Sequence, residues 1–305
     1  MIDRSKTQSV ASDLEAPFDA KFLARLEKLH LCSRRVFSGR QHAQHVSKKL
    51  GTGMEFVDHR PYAMGDDLRL LDWNLFGRSD KLYTKLFRQE EDRNLFFLVD
   101  VSASMASEAI KFDTVRRLVA AVAYIGLVEM DRIHLMGFGE GISASRPVLR
   151  GRRSVVDALR FLSRLKAGGQ TDLRRTCHEF LASHRGQEGM VLVFSDFMDI
   201  EGWASGLDLL FRQGYEVVAL HLLTEQELKP KRLGEWRLVD PEGGRPHTVH
   251  ITRRMIARYR EALNAHGERL RRHVLARGGS YIRATTASAL EELVLKELRA
   301  GHLLA

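Results

Sequence analysis

The sequence predicts an α/β protein: a doubly wound, mostly parallel sheet with helices on both faces, carrying an N-terminal extension and an inserted β-hairpin. Two observations point there. From Asn94 onward, short β-rich runs alternate with stretches of helical period, and the runs are mostly apolar, as strands covered on both faces are.

Residues 1–50 read as helical and basic, with Phe22, Leu23, Leu26, Leu29 and Val36 forming a short apolar stripe. Residues 51–93 are rich in glycine and charge, and Tyr83 to Phe87 read as a strand. The pattern changes near Arg93, which divides the chain into an N-terminal segment, 1–93, and a sheet domain, 94–305. In that domain the predicted strands are 95–100, 133–138, 190–194, 216–223 and 280–283. Between them the helices run from Phe112 to Met130, Ser154 to Leu165, Leu173 to His184, Trp203 to Gln213 and Thr252 to Arg277, with a last one from Ala289 to Leu298. Residues 236–251 read as a hairpin turning at Pro241 to Gly244. The Gly-rich Gly137 to Gly141 lacks the lysine of a phosphate-binding loop and reads as a turn after a strand.

Composition narrows the function. With 305 residues, 44% hydrophobic and 29% charged, the chain is long enough to bury a proper core. Its longest uncharged apolar run, Leu118 to Val128, falls well short of a bilayer span, and the first residues lack the apolar stretch of a secretory signal, so a cytoplasmic location is expected. Cys32 and Cys177 are the only cysteines, so chemistry is expected from oxygen ligands or histidines. The net charge of +9 is concentrated in 253–283, where nine arginines face Glu261 and Glu268. This stretch also carries Ile256, Tyr259, Leu263, Leu270 and Val274 at helical spacing, so it reads first as a solvated helix face and second as a surface for nucleic acid.

The first predicted strand ends in Asp100-Val101-Ser102-Ala103-Ser104. Open α/β sheets bind ligands at the carboxyl ends of strands, and alternating oxygens leaving a strand can converge on a hard divalent ion. The same residues could equally cap the next helix. Thr171, on the loop Gly168-Gly169-Gln170-Thr171-Asp172, and Asp196, at the end of the 190–194 strand, could meet them. Asp199 is a further carboxylate suited to positioning.

In this order, the three segments resemble the metal-ion-dependent adhesion site of the von Willebrand factor type A domain, over about residues 94–300. The preceding GTGMEFVDHRPYAMGDDLRLLDWN, followed by LYTKLFRQEE, resembles the signature of the bacterial domain-of-unknown-function family fifty-eight. The resemblance implies Ser102, Ser104 and Thr171 as hydroxyl ligands, with Asp100 and Asp196 binding directly or through water, to Mg2+ or else Mn2+ or Ca2+. Type A domains commonly have Gly-Gly-Thr where Gln170 here intervenes, which leaves Asp172 an alternative to Thr171. It further implies a non-enzymatic adaptor working with a MoxR-type AAA+ ATPase in the assembly or maturation of protein complexes, the client supplying an acidic residue to the metal. The absence of a P-loop motif agrees with a chain that is not itself the ATPase. A magnesium-dependent hydrolase remains the enzymatic alternative, with Lys111 the one nearby base for Ser102 or Ser104. Asp66, Asp67 and Asp72 are expected to cap turns and pair with Arg60, Arg69 and Arg78, Trp73 to pack against the sheet domain, and His42 and His45 to be solvated.

Overall fold

A computed structural model of the chain describes residues 18–37, 55–88, 93–199, 202–238 and 247–288. Its main sheet is built around strand β3 (Asn94–Asp100). On one side lie β4 (Arg132–Phe138) and β5 (Ile142–Leu149); on the other lie β6 (Met190–Ser195), β7 (Glu216–Leu223) and β10 (Ser280–Thr285). The order is β10-β7-β6-β3-β4-β5, with every neighbouring pair parallel except β4 and β5. The chain leaves β3 toward β4 and later returns to β6 on the opposite side. The strand order therefore reverses between β3 and β6, where the connections diverge and leave a crevice at the carboxyl ends. Val99 pairs with Phe194 in register, so Asp100 and Ser195 are the next residues on these two strands.

Alternation along each strand distributes side chains to two cores. Leu95, Phe97 and Val99 join one cluster with buried residues of α3 (Ala109–Val128) and α4 (Val155–Arg164). Phe96 and Leu98 join the other with α5 (Leu173–Ser183), α6 (Gly202–Arg212) and α8 (Arg253–Leu275). Helices thus cover both faces, as expected for a doubly wound sheet. Strand β5 went unread in the sequence because it is an antiparallel edge strand: its exposed and half-buried residues alternate, and Pro147 sits within it. The glycine-rich segment before it is the expected turn, closed by the Gly139 amide donating to the Gly141 carbonyl at 3.0 Å.

The division of the chain at residue 93 needs correction for its first helix. Helix α1 (Ala20–Phe37) sends Phe22, Leu26 and Leu29 into the cluster that also holds α3. An apolar stripe of this kind cannot be left in water, and it finds its cover in the sheet domain. Among the described residues, one compact unit takes those up to Arg34 and from Arg93 onward, and the other takes Arg35–Asp92. The smaller unit contains an antiparallel pair, β1 (Glu55–Pro61) with β2 (Tyr83–Arg88), and the short helix α2 (Trp73–Ser79). Its acidic residues cap and pair locally. Asp72 accepts from the Asn74 and Leu75 amides and meets His59 at 2.8 Å, which with these amides holds its carboxyl down to about 2. Asp66 pairs with Arg60 and Asp67 with Arg69, and within the smaller unit Trp73 meets Phe76 edge-on.

Strands β8 (Gly234–Leu238) and β9 (His247–Ile251) form the inserted hairpin as a separate antiparallel pair. The turn expected at Pro241 to Gly244, the helix expected from Ala289 to Leu298, and His42 and His45 lie outside the described residues. Helix α8 buries Leu263, His266, Gly267, Leu270 and Val274, while Tyr259 and the arginines at 253, 254, 258, 260, 269, 271 and 272 are exposed. The buried stripe therefore occupies only the later turns of the helix. No helix among the described residues is long and apolar enough to cross a membrane.

Two histidines inside the sheet domain tie its stability to pH. Burial, followed by the neighbouring His184 and Arg132, pushes His134 down to about 4, and burial above all pushes His221 down to about 3. Both rings are neutral when folded, whereas in the unfolded chain they take up protons near pH ~6.5. The unfolded state binds more protons between these values, so this stability is present above pH ~6.5 and lost as pH falls toward the folded values. Urea unfolding at pH 4.5 is expected to show a clear loss relative to pH 7.5. His134→Phe, which keeps a ring against Phe96, should recover about 2 kcal/mol of it. An unchanged pH difference in that variant would show that His134 is not its source.

Candidate metal centre

The crevice between β3 and β6 brings the sequence-predicted residues together. Asp100 ends β3 and is fully buried; its Oδ1 accepts the Ser102 amide at 2.9 Å and faces the Thr171 hydroxyl at 3.4 Å. Its Oδ2 accepts the Ser195 hydroxyl at 2.5 Å. Ser102 Oγ lies 3.0 Å from Ser104 Oγ, so both hydroxyls point the same way as the chain turns through a short 3-10 segment toward α3. The expectation that D-x-S-x-S merely caps the following helix is not met: Glu108 holds the cap position of α3, without a side-chain hydrogen bond.

The loop carrying Thr171 is docked by its backbone. The Ala103 amide donates to the Gly169 carbonyl at 2.9 Å, and the Gly168 amide to the Val101 carbonyl at 2.7 Å. Gly169 adopts φ +83, which a side-chain-bearing residue rarely takes, and the loop thereby delivers the Thr171 hydroxyl to Asp100. Asp172, the alternative at this position, caps α5 by accepting the Arg175 amide at 2.8 Å. The inserted Gln170 therefore leaves Thr171 as the residue that reaches the centre.

Asp196 follows β6 and is buried, with Oδ1 accepting the Met198 amide at 3.2 Å. Phe197 beside it is a buried non-glycine residue at φ +51, a costly conformation held in place on both sides. Its amide donates to Ser195 Oγ at 2.9 Å and its carbonyl meets His266 Nε2 at 2.9 Å. Asp199 accepts from the Leu173 and Gly202 amides, and so fixes the starts of α5 and α6 behind the centre.

Sequence reasoning underrated Lys111 and missed Glu227. Lys111, on α3, is fully buried, and its Nζ stands 2.7 Å from Asp196 Oδ2 and 2.7 Å from Glu227 Oε1. Glu227 belongs to the short helix α7 (Glu225–Leu228) that follows β7, inside a capping box with Thr224. Both residues carry a readable signal. Lys111 occupies the helical stripe of Val115, Leu118 and Val122, where a charge needs a buried partner, and Thr224-Glu225-Gln226-Glu227 has the T-x-x-E spacing of a capping box at a strand end. Burial disfavours the charge on Lys111, but Asp196 and Glu227 outweigh it and hold the ammonium above the ordinary lysine range. A lysine kept protonated in this way cannot act as the general base for Ser102 or Ser104.

The donor set is all oxygen, three hydroxyls and two carboxylates, the chemistry of Mg2+, Mn2+ or Ca2+ rather than of a softer ion. Among the described residues, no three His, Cys, Asp or Glu side chains gather as a metal site, so the hydroxyls would be essential to any ion held here. The residues fit such an ion electrostatically as well. Burial, and then the nearby Asp196, push the Asp100 carboxyl up to about 6, which marks a carboxylate short of positive charge.

Lys111 also bears weight in the fold. Lys111→Met strands Asp196 in the interior and is expected to cost about 3–5 kcal/mol in urea unfolding at pH 7.5. Lys111→Met combined with Glu227→Gln should cost less, since one of the abandoned charges goes with it. Equal losses in the two proteins would show that Glu227 takes no part in compensating the ammonium.

Curated relatives include the uncharacterized proteins Mb1516 of Mycobacterium bovis and Rv1480 of Mycobacterium tuberculosis. Each is 26% identical over 232 residues, covering 74% of this chain and 73% of the relative. Among solved structures, the conserved hypothetical protein BatB from Bacteroides thetaiotaomicron aligns at 15% identity with a TM-score of 0.42, over 68% of this chain and 98% of that one. An aerotolerance-related membrane protein from Bacteroides fragilis aligns at 18% identity with a TM-score of 0.40, over 68% and 99%. The family described as "Protein of unknown function DUF58" matches residues 58–269, most of the sheet domain together with much of the smaller unit. The chain belongs to the DUF58 family.

Proposed function

We propose that this protein is a non-enzymatic, metal-dependent protein-interaction adaptor. In this reading Ser102, Ser104 and Thr171 hold Mg2+, or Mn2+ or Ca2+, through their hydroxyls, with Asp100 and Asp196 balancing its charge. The observation that carries it is the convergence of residues from three distant segments on one crevice: Ser102 on Ser104, Thr171 on Asp100, and Ser195, next to Asp196, on Asp100. Hydroxyl ligands are neutral, so an ion held by them keeps much of its positive charge and favours an incoming carboxylate. That suits recognition of an Asp or Glu on another protein. Binding is favoured over hydrolysis because the nearest base candidate, Lys111, is locked as an ammonium between two acids.

The proposed partner is a MoxR-type AAA+ ATPase, with a client protein contributing the acidic residue, in the assembly or maturation of protein complexes in the cytoplasm. Support for the ATPase lies in the sequence resemblance, and support for an acidic ligand in the chemistry of the crevice.

The test uses the full chain as bait in native lysate with Mg2+ and with EDTA, beside Ser102→Ala and Asp100→Ala. An AAA+ ATPase retained at least about tenfold better with Mg2+ than with EDTA, and lost in both variants, is the expected outcome. Equal retention in all four conditions rejects the metal role, and recovery of no AAA+ ATPase rejects the partner.

A further inference from the structure

We propose that Lys111 sets the affinity of the centre for its dication by occupying Asp196, which makes it a positioning residue rather than a ligand. The proposal rests on the reading above that the crevice takes a dication, and it concerns how strongly. Three observations support it. Lys111 Nζ contacts Asp196 Oδ2 at 2.7 Å in a fully buried position, and Asp196 Oδ1 is engaged by the Met198 amide, so neither oxygen of this carboxylate is uncommitted. The ammonium is tethered from the far side by Glu227 Oε1 at 2.7 Å. Glu227 is itself fixed, because its Oε2 accepts the Thr224 amide at 2.7 Å while its own amide donates to Thr224 Oγ1 at 3.1 Å.

The physical consequence follows from charge and geometry. A dication approaching Asp196 must share the carboxylate with a resident cation that burial screens poorly from it, and the two repel. The hydroxyls and Asp100 then do most of the holding. A dication kept weakly in this way retains demand for a further anionic ligand, so occupancy of the centre and arrival of a partner's carboxylate favour each other. Glu227 works in the opposite sense: its charge offsets part of the ammonium, and its capping box keeps the ammonium from drifting farther into the crevice.

These opposed roles give the test two signs. Mg2+ and Mn2+ binding to the full chain is measured by calorimetry for wild type, Lys111→Met/Glu227→Gln, Glu227→Gln alone and Lys111→Arg. The double variant removes one base and one acid, leaves the formal charge unchanged and frees Asp196. It should bind about tenfold more tightly. Glu227→Gln alone leaves the ammonium less compensated and should bind about tenfold more weakly, while Lys111→Arg should stay near wild type. Urea unfolding of each variant establishes that it is folded, and the single Glu227→Gln substitution decides the matter if the double variant is not. Affinities equal to wild type in these variants overturn the role of Lys111 and leave the metal reading standing. No binding of either ion to any of the proteins overturns the metal reading, and this proposal with it.

Discussion

Asp100 is a carboxylate at the end of the central strand with no exposure to water, and the crevice around it is arranged to make that tolerable. A buried acid must be hydrogen bonded, neutralised or protonated. Here Ser102, Thr171 and Ser195 each turn a donor toward it, one from each of the three segments that meet at the crevice. Their hydroxyl and amide contacts also hold the β3 turn, the 168–172 loop and the end of β6 in register with one another. The remaining shortage of positive charge is what a dication would relieve.

Asp196 has solved the same problem differently. Its counter-charge is covalently part of the chain, delivered by α3, the helix that follows the D-x-S-x-S turn. The two acids that approach each other across the switch point therefore differ in kind: one is compensated at rest, the other is left open. The difference gives the crevice a direction, with its uncompensated side toward the hydroxyls and its closed side toward Lys111 and Glu227. The strained φ of Phe197 belongs to this arrangement, since it turns the backbone immediately after Asp196 and is pinned by Ser195 and His266.

Burial on the two faces follows from simple alternation, with Leu95, Phe97 and Val99 in one core and Phe96 and Leu98 in the other. Such mostly apolar strands are easily read, and among the described residues the five parallel strands and the helices between them match their expected positions to within a few residues. Strand β5 is the counterexample. As an edge strand it is covered incompletely, so its sequence alternates serine, arginine and proline with apolar residues where an interior strand is mostly apolar. Helix α1 shows another kind of gap: its stripe announced that it must pack, without saying against what.

Local sequence was enough to determine the α/β class, the strand-end position of Asp100, Ser102 and Ser104, and the candidacy of Thr171 and Asp196, because each depends on period, turn chemistry or spacing within a short window. Only the tertiary structure decided that Thr171 rather than Asp172 faces Asp100, since that follows from backbone hydrogen bonds between loops far apart in sequence. It likewise decided the ion-pair partners of Lys111. A lysine in an apolar stripe signals a buried partner, but which acids receive it depends on where β6 and β7 end beside α3, and no local pattern encodes that distance.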